Sequence, residues 1–307
     1  MTTCPVCNTQ SFLKLEPIDV DQQHRAYPLN PPSLREPLTA VMQAITTTYQ
    51  MLRCSNCTVE FAHPMIAPSA EWYDLAYSGL PLYPSIRWEY RHVLELQPNP
   101  SHLIDIGCGS GAFLQYCRSN QVSATGIDHS PAAIAACDKD GLTTHLIDAT
   151  LDDESQPLPT ASCLTAFHVL EHLSDPKSLF QVASRCSTGQ SRLWVSIPSN
   201  NRSTRYFGKS DYLDQPPHHL TRWNPLSLEQ VASGTGWKFV KVHYEPIHLK
   251  TALWTIATLD HSSPRPNRSQ WHERILRWAS YPAALIKRLT RHHSLSSFSM
   301  LAEYVKI

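Results

Sequence analysis

The feature that most constrains the fold is a glycine-rich turn between a short apolar run and an amphipathic segment. Residues 103–114 read Leu-Ile-Asp-Ile-Gly-Cys-Gly-Ser-Gly-Ala-Phe-Leu, which predicts a strand, a tight turn and the start of a helix. Glycine allows positive φ and a close approach of the backbone to a ligand, and the free amides of the first helical turn point to the same place. The turn, with Gly107, Cys108, Gly109 and Gly111, therefore predicts a ligand cradle.

The spacing of the glycines and the acid before them indicate what the cradle binds. The spacing is Gly-x-Gly-x-Gly rather than the Gly-x-Gly-x-x-Gly of dinucleotide folds, and Asp105 stands two residues before the first glycine. A carboxylate at that place disfavours a pyrophosphate and favours an ammonium or sulfonium group. We therefore expect a ligand with an amino-acid head and an adenosine tail.

Two further apolar runs also end in an acid. The run 123–127 is followed by Asp128 and His129, and the run 142–147 is followed by Asp148 and Ala149. Asp128 is placed to accept hydrogen bonds from two ribose hydroxyls, and the Asp148 segment suits the adenine edge. As an alternative, Asp128 caps a helix or closes a turn, which is the common role of acids that follow strands.

The ordered set of strand-end acids around a glycine turn resembles the S-adenosylmethionine site of the class I methyltransferases. The resemblance runs from about residue 84 to the C-terminus and implies an α/β fold with a seven-stranded, doubly wound, Rossmann-like sheet. It also implies S-adenosylmethionine as the cofactor. The implied cofactor-binding residues are Asp105, Gly107, Cys108, Gly109, Gly111, Asp128, His129, Asp148, Ala149 and His168.

The alternation of strands and helices indicates a parallel sheet independently of that resemblance. Three helix starts are well marked, because a capping residue precedes proline at the first helical position. These starts are Ser130-Pro131, Asp175-Pro176 and Asn224-Pro225.

Two Cys-x-x-Cys pairs near the N-terminus predict a zinc site. Cys4, Cys7, Cys54 and Cys57 offer four thiolates to one tetrahedral ion, which leaves no open position and makes the site structural. Free surface thiols are the alternative. A redox pair is disfavoured, because neither pair opens a helix after a strand.

The N-terminal segment resembles the zinc-binding region and linker found ahead of many bacterial small-molecule methyltransferase domains. We predict a small zinc-ribbon-like module at 1–66, a linker and leading helix at 67–98, and the methyltransferase domain at 99–307. Linker aromatics often cover the substrate mouth in that family. Tyr73, Tyr77 and Tyr83 are therefore candidate substrate contacts, with packing against the domain as the alternative.

A His-x-x-Glu-His motif follows the fourth predicted strand of the domain. His168, Glu171 and His172 match the inverted zinc-protease signature literally, but that signature needs a helix, and this motif follows a strand of an α/β sheet. The methyltransferase resemblance places His168 beside the reacting centre. In ubiquinone-type O-methyltransferases the corresponding residues hold a divalent cation. Here His168 replaces a glutamate, so metal assistance stays open beside a role in capping the next helix.

Two adjacent histidines lie in the long polar loop after the fifth predicted strand. His218 and His219 lie in a segment that faces the ligand in open sheets of this type, and imidazole serves as a general base near neutral pH. With His168 they are the candidate catalytic bases. The alternative is that one binds the loop backbone and the other is exposed.

An insertion predicted at 246–296 separates the last two strands. Between residues 269 and 291, apolar residues recur at helical spacing with basic residues on other faces. This stripe is compatible with a lid, a homodimer surface, a membrane-surface contact or packing onto the sheet.

Charge and hydropathy narrow the class of partner. The 26 Lys plus Arg balance the 26 Asp plus Glu, which gives no strong nucleic-acid signal, because phosphate neutralisation needs a basic surplus. No apolar run is long enough for a transmembrane segment and no signal-peptide pattern is present, so we expect a cytoplasmic protein.

The predicted function is S-adenosylmethionine-dependent transfer of a methyl group to oxygen or carbon of a small-molecule acceptor. Secondary-metabolite, sugar and quinone biosynthesis are the settings we expect. The alternatives are a zinc-module RNA methyltransferase and a non-catalytic cofactor-binding scaffold.

Overall fold

Two sheets and the helices between them make up the part of the chain that the computed structural model describes. The described residues are 2–27, 29–79, 86–97, 100–147, 157–202, 212–246 and 298–307. The strands are β1 Phe12–Asp19, β2 Thr48–Cys54, β3 Glu60–His63, β4 Leu103–Ile106, β5 Ala124–Asp128, β6 Thr144–Leu146, β7 Ala161–Phe167, β8 Ser187–Pro198, β9 Thr221–Arg222, β10 Trp237–Tyr244 and β11 Ser299–Lys306. The helices are α1 Val20–Arg25, α2 Arg35–Gln43, α3 Ala70–Gly79, α4 Trp88–Leu96, α5 Ala112–Ser119, α6 Pro131–Lys139, α7 Ser178–Arg185 and α8 Pro225–Val231.

The large sheet has seven strands in the order β10-β11-β8-β7-β4-β5-β6. The pairs β4-β5, β4-β7, β5-β6 and β7-β8 are parallel, whereas β11 runs antiparallel to β8 and β10. All four residues of β4 are buried, as is typical of a parallel sheet covered on both faces. The predicted seven-stranded, Rossmann-like α/β sheet is confirmed, and its carboxyl edge gathers the residues that follow β4, β5, β7 and β8.

The small sheet is antiparallel, with the order β1-β2-β3-β9. Its last strand comes from far along the chain, because Phe61 pairs with Thr221 and Glu60 with Arg222. The amide of Ala62 donates to the carbonyl of Leu220 at 2.8 Å. The predicted methyltransferase domain thus supplies one strand to the sheet of the predicted zinc module. The boundaries at residues 66 and 98 remain predictions.

The two sheets also share an apolar core. Val59 and Phe61 belong to the same buried cluster as Trp223, Leu228 and Ala302. Trp223, which directly follows β9, therefore packs at the junction of the small sheet and the large one. This packing fixes the position of the segment that ends at β9 relative to both sheets.

Two of the three marked helix starts are confirmed, and the third is displaced. The Ser130 hydroxyl accepts a hydrogen bond from the Ala133 amide at the start of α6, and Asn224 forms a capping box with Ser227 at the start of α8. By contrast, α7 begins at Ser178. The Asp175 carboxylate accepts from the Lys177 amide at 3.0 Å, so it closes a turn ahead of the helix instead of capping it.

Several predicted features lie outside the described residues. They are Tyr83, Asp148, Ala149, nearly all of the insertion predicted at 246–296, and the stripe at 269–291. Among the described helices, none is both long enough and apolar enough to cross a membrane.

Candidate functional site

The four predicted zinc ligands meet at one point. The Cys4 and Cys57 sulfurs lie 3.5 Å apart, as do the Cys7 and Cys54 sulfurs, and all four lie within 4.8 Å of one another. Sulfurs around a tetrahedral zinc ion with Zn–S bonds of ~2.3 Å lie about 3.8 Å apart. The four thiols therefore fit a structural zinc ion.

Each Cys-x-x-Cys pair sits in a turn of the same kind. The second cysteine of each pair is followed by a residue with positive φ, Asn8 (59°) and Thr58 (60°). The Val6 amide points at the Cys4 sulfur at 3.4 Å and the Asn56 amide at the Cys54 sulfur at 3.3 Å. Amides directed at sulfur favour the thiolate that a metal requires.

The thiols of the cluster also influence each other's ionisation. The hydrogen bond shared with Cys57 lowers the pKa of Cys4 to about 5. The same bond, together with burial, raises the pKa of Cys57. The Cys4 sulfur is thus the acceptor of this hydrogen bond, and a bound cation would supply the charge that favours four thiolates.

The glycine turn has the geometry of a cradle. Gly107, Gly109 and Gly111 all have positive φ. A Cβ atom at Gly107 would lie 2.4 Å from Val169, and one at Gly111 would lie 2.5 Å from Leu142. At Gly109, by contrast, a Cβ atom would meet no heavy atom of the described residues within 4 Å. The outer glycines are thus required by packing, and Gly109 leaves open space where a ligand can approach the backbone.

Asp128 ties the cradle to the next helix. Its carboxylate accepts hydrogen bonds from the Gly109 amide at 2.8 Å and from the Ser130 amide at 2.9 Å. Each oxygen keeps a second lone pair, so the predicted ribose contact stays a prediction beside this turn-closing role.

His129 is more than half exposed, with Nδ1 3.7 Å from the Asp128 carboxylate. Cys108 is buried and packs against Gly126.

Asp105 is a buried acid whose described contacts include no cation. It is 3% exposed and accepts a hydrogen bond from the Thr165 hydroxyl at 2.7 Å. Burial raises the pKa of Asp105 to about 7, and the nearby Asp128 adds to this effect. A buried carboxylate beside an open cradle suits the ammonium group of an amino-acid head, because that cation would stabilise its ionised form. The site thus fits S-adenosylmethionine.

His168 lies between two buried carboxylates at the end of β7. Its Nδ1 lies 3.0 Å from Glu171 and its Nε2 3.2 Å from Glu89. Burial and Arg87 lower the pKa of His168, but the hydrogen bonds to the two glutamates outweigh them and raise it. The backbone of His168 has a φ of 55°, a conformation that non-glycine residues adopt rarely. The structure thus holds this side chain between its two partners at a conformational cost.

A cluster of three histidines lies on the other side of Glu171. Ligating atoms of His172, His218 and His219 lie within 4.8 Å of one another, and the His218 and His219 rings stack at 4.5 Å. The Leu220 amide donates to the Glu171 carbonyl at 2.8 Å, which brings the loop before β9 onto the His-x-x-Glu-His segment. His172 thus joins the loop histidines.

Both loop histidines are buried, and Nδ1 of each contacts a residue that does not belong to the histidine cluster. His218 is 2% exposed and donates through Nδ1 to the Leu213 carbonyl at 2.9 Å, whereas Nδ1 of His219 lies 3.4 Å from the Asp214 carboxylate. Burial lowers the pKa of His218 to about 3, with His219 contributing to the effect. Of the alternative to a catalytic role, the backbone contact is present at His218, whereas neither histidine is exposed.

The predicted linker aromatics approach the same cluster. The Tyr73 hydroxyl lies 3.4 Å from Nδ1 of His172, and the Tyr77 ring lies 6.2 Å from the His218 ring. Both tyrosines belong to α3. They therefore lie beside the histidines, as a substrate contact requires.

Sequence reasoning missed two acids of the site. Glu89 on α4 contacts His168, and Asp214 contacts His219. Burial opposes the ionisation of Asp214, but Arg202, His219 and Arg222 outweigh it and lower the pKa of this carboxyl. Neither acid stands in a motif, and Glu89 occupies an ordinary polar position of an amphipathic helix, so no local signal marks them.

Comparison with known proteins gives consistent similarities. A family model described as a methyltransferase domain matches residues 86–242. The trans-aconitate 2-methyltransferase of Acidovorax sp. (strain JS42) is 28% identical over 148 residues, which are 48% of this chain and 50% of that protein. The ubiquinone biosynthesis O-methyltransferase of Vibrio atlanticus is 24% identical over 146 residues, 45% of this chain and 62% of that protein.

The chain therefore spans about half the length of the first of these curated relatives. Among solved structures, a SAM-dependent methyltransferase from Archaeoglobus fulgidus superposes with a TM-score of 0.47 at 20% identity, covering 71% of this chain and 93% of that one.

Proposed function

Because the chain belongs to the methyltransferase domain family, we propose that it transfers a methyl group from S-adenosylmethionine to a small-molecule acceptor. The observation that carries the proposal is the open side of Gly109 next to the buried Asp105 carboxylate. An adenosine-bearing cation fits that combination of an open backbone cradle and a buried acid.

The residues of the chain have distinct tasks in this reaction. Bound S-adenosylmethionine supplies an electrophilic methyl group on a sulfonium. Asp105 pairs with the ammonium of the amino-acid head, and the turn around Gly109 lets the ribose approach, with Asp128 accepting from its hydroxyls. Alignment of acceptor, methyl carbon and sulfur is then the main requirement, because little covalent help is needed.

The acceptor's proton is removed at the histidine cluster. Both ring nitrogens of His168 already contact carboxylates, so this side chain positions Glu89 and Glu171 in our proposal. The outer partners of His218 and His219 lie at Nδ1, and the Tyr77 ring lies 6.2 Å from the His218 ring. Loss of a group that assists proton transfer typically costs 10²- to 10⁴-fold in rate.

The acceptor is a small oxygen- or carbon-nucleophile rather than a nucleic acid. The balance of 26 basic and 26 acidic residues gives no electrostatic footprint for a polyanion. The relatives named for trans-aconitate and for ubiquinone biosynthesis support a small acceptor from sugar, quinone or secondary metabolism.

The test combines cofactor binding with methyl transfer. Calorimetry should show S-adenosylmethionine binding, and a labelled-methyl screen against sugar nucleotides, quinol precursors and polycarboxylates should yield a methylated product. His219→Ala should lower kcat by about 10²- to 10⁴-fold with nearly unchanged cofactor affinity. His102→Ala, at the amino end of β4, is the matched control. Absence of cofactor binding would overturn the proposal, and binding with no transfer to any acceptor would favour a scaffold.

The four cysteines hold one structural Zn²⁺ in this proposal. The proximity of the four sulfurs, all within 4.8 Å of one another, and the amides directed at sulfur support it. Metal analysis of protein purified without chelator should show zinc that Cys4→Ser removes, whereas four rapidly alkylated thiols in the native protein would contradict the assignment.

A further inference from the structure

The three histidines beside Glu171 have the features of a metal site with an open position. We propose that His172, His218 and His219 bind a divalent transition-metal ion of the zinc class, separate from the ion of the four cysteines. Their ligating atoms lie within 4.8 Å of one another, and imidazole nitrogens are ligands that such ions prefer.

The strongest support is a buried ring nitrogen that has no hydrogen-bond partner among the described residues. His218 is 2% exposed and its Nδ1 is occupied by the Leu213 carbonyl. Because a carbonyl only accepts, Nδ1 carries the proton and Nε2 keeps its lone pair. Within the described part of the chain, that Nε2 has no hydrogen-bond partner. A buried acceptor of this kind needs a donor or a cation.

The outer partners of the histidines match those of metal-binding imidazoles. Such ligands usually donate their second ring N–H to a carbonyl or a carboxylate, which fixes the tautomer and the ring orientation. His218 donates to Leu213, and Nδ1 of His219 faces the Asp214 carboxylate at 3.4 Å. For His172, Nδ1 lies 3.4 Å from the Tyr73 hydroxyl. The His218 and His219 rings are therefore held at Nδ1, which turns Nε2 toward the cluster. The His172 ring also interacts with the backbone of His218, so an ion would have to displace one of its two contacts.

Nearby acids add negative charge without occupying the cluster. Oε1 of Glu171 lies 3.9 Å from Nε2 of His219, and its Oε2 is buried with no partner among the described residues. Asp214 is paired with Arg202 and Arg222. Glu171 shares the His168 imidazole with Glu89, so the two glutamates together carry more negative charge than that imidazole balances, which favours a cation here.

Three protein ligands leave a coordination position for the acceptor, as in catalytic rather than structural zinc sites. With the ion bound, the imidazoles would be ligands rather than free bases. The ion would then assist proton removal by lowering the pKa of a bound acceptor hydroxyl, and the proton would pass to water. The resulting oxyanion forms a bond to the methyl carbon as the carbon–sulfur bond breaks, and the electron pair stays on sulfur. This catalytic role rests on the proposed function, whereas binding of the ion does not.

The test counts ions in the full-length protein after removal of any affinity tag. Titration of metal-free parent protein with Co²⁺ should fill two sites, one with thiolate charge-transfer absorption and one with only the weaker bands of a nitrogen site. Zinc analysis should give two ions per chain. His218→Ala and the milder His218→Gln should retain only the thiolate site, whereas His102→Ala should retain both. Retention of the thiolate band shows that the variants are folded.

Saturation of the parent protein by one equivalent of Co²⁺, with thiolate bands alone, would overturn the proposal whatever the variants do. Equal loss of the nitrogen-site bands in His102→Ala would also overturn it. If the metal site exists but no methyl transfer is found, the failure belongs to the proposed function, since the Co²⁺ spectrum is independent of activity.

Discussion

At the scale of single residues, Asp105 shows how burial prepares a site for a cation. Its folded pKa of about 7 lies above the ordinary 3.8, so the folded protein binds this proton more tightly than the unfolded chain does. The resulting stabilisation is complete below pH 3.8 and is lost as the pH rises through about 7. Ionisation of Asp105 therefore lowers the free energy of unfolding of the ligand-free protein at alkaline pH.

Asp105→Asn should separate that stability effect from ligand binding. At pH 8 the ligand-free variant should unfold at a higher temperature than the parent, by an amount equivalent to something on the order of 2 kcal/mol, with little difference at pH 4. Its S-adenosylmethionine affinity should fall, because the ammonium loses its charged partner. Calorimetry and thermal unfolding at both pH values check this, with exposed Asp74→Asn as control. An unchanged affinity would contradict the ammonium contact.

Asp128→Ala tests the ribose contact against the turn-closing role. We expect S-adenosylmethionine binding to weaken by about 1.5 to 3 kcal/mol, the range for hydrogen bonds to a charged group. Titration calorimetry gives the affinity, and thermal unfolding of the ligand-free protein gives the loss from the Gly109 and Ser130 amides. A variant that loses stability but keeps its affinity for S-adenosylmethionine would show that Asp128 closes the turn and does not bind the ribose.

Residues marked by local spacing were predictable, and those defined by distant contacts were not. Asp105 and the glycines follow from an apolar run, an acid and a turn within a few positions. Glu89 and His168, however, are separated by 79 positions, and only the packing of α4 against the end of β7 brings them together. Sequence pattern carries no information on such a pairing.

At the scale of elements, β9 is the structural link between the zinc cluster and the candidate site. It begins two residues after His219 and pairs with β3, which follows the second cysteine pair after a short turn. A change in the conformation of the cysteine turns therefore shifts the histidine loop through the pairing of β3 with β9.

Loss of the cysteine-bound ion should accordingly reduce turnover more than cofactor affinity. Cys57→Ser should lower the unfolding temperature and lower kcat by about tenfold or more, because small displacements of positioning groups are costly. S-adenosylmethionine affinity should change little, since the glycine turn belongs to the β4–α5 connection. Cys117→Ser, a buried thiol outside the cluster, is the control. Equal losses of affinity and kcat would argue for general unfolding.

The helix starts were predictable from the sequence in two cases and not in the third. Ser130 and Asn224 begin α6 and α8 as their spacing predicts, whereas Asp175 closes a turn and α7 begins at Ser178. The same side-chain chemistry serves caps and turns, so spacing alone does not decide between the two at Asp175.

At the scale of the whole molecule, Arg222 joins the small sheet to the histidine loop. Its guanidinium lies 2.9 Å from Glu16, 3.3 Å from Glu60 and 3.2 Å from Asp214, and its side chain is 10% exposed. Three carboxylates from two parts of the chain therefore share this cation, while Glu60 also pairs with Arg53 and Asp214 with Arg202.

Arg222→Gln should destabilise the protein by about 3 kcal/mol, the lower end of the range for breaking a buried ion pair, because Glu60 and Asp214 each keep a second arginine. The matched control is Arg53→Gln. Arg53 pairs with Glu60 on the same sheet but is 45% exposed, so its loss should cost about 0 to 1 kcal/mol. Urea unfolding measures both. Similar values for the two variants would show that the network does not couple the small sheet to the histidine loop.

The large sheet was predictable as a whole, but its junction with the small sheet was not. Alternating strand and helix patterns determine a parallel sheet with few alternatives. A two-residue strand such as Thr221–Arg222 has no periodicity to detect, and its partner β3 lies 160 positions earlier in the chain. The shared core around Trp223 depends on that pairing, so it was not predictable from the sequence either.

The pairing of β3 with β9 has a consequence for synthesis on the ribosome. The first three strands of the small sheet emerge early, yet the edge of β3 at Glu60–His63 stays uncovered until residue 222 has left the exit tunnel. During that interval an unpaired strand edge is available to other nascent chains. The N-terminal sheet thus completes its folding only after most of the polypeptide has been translated.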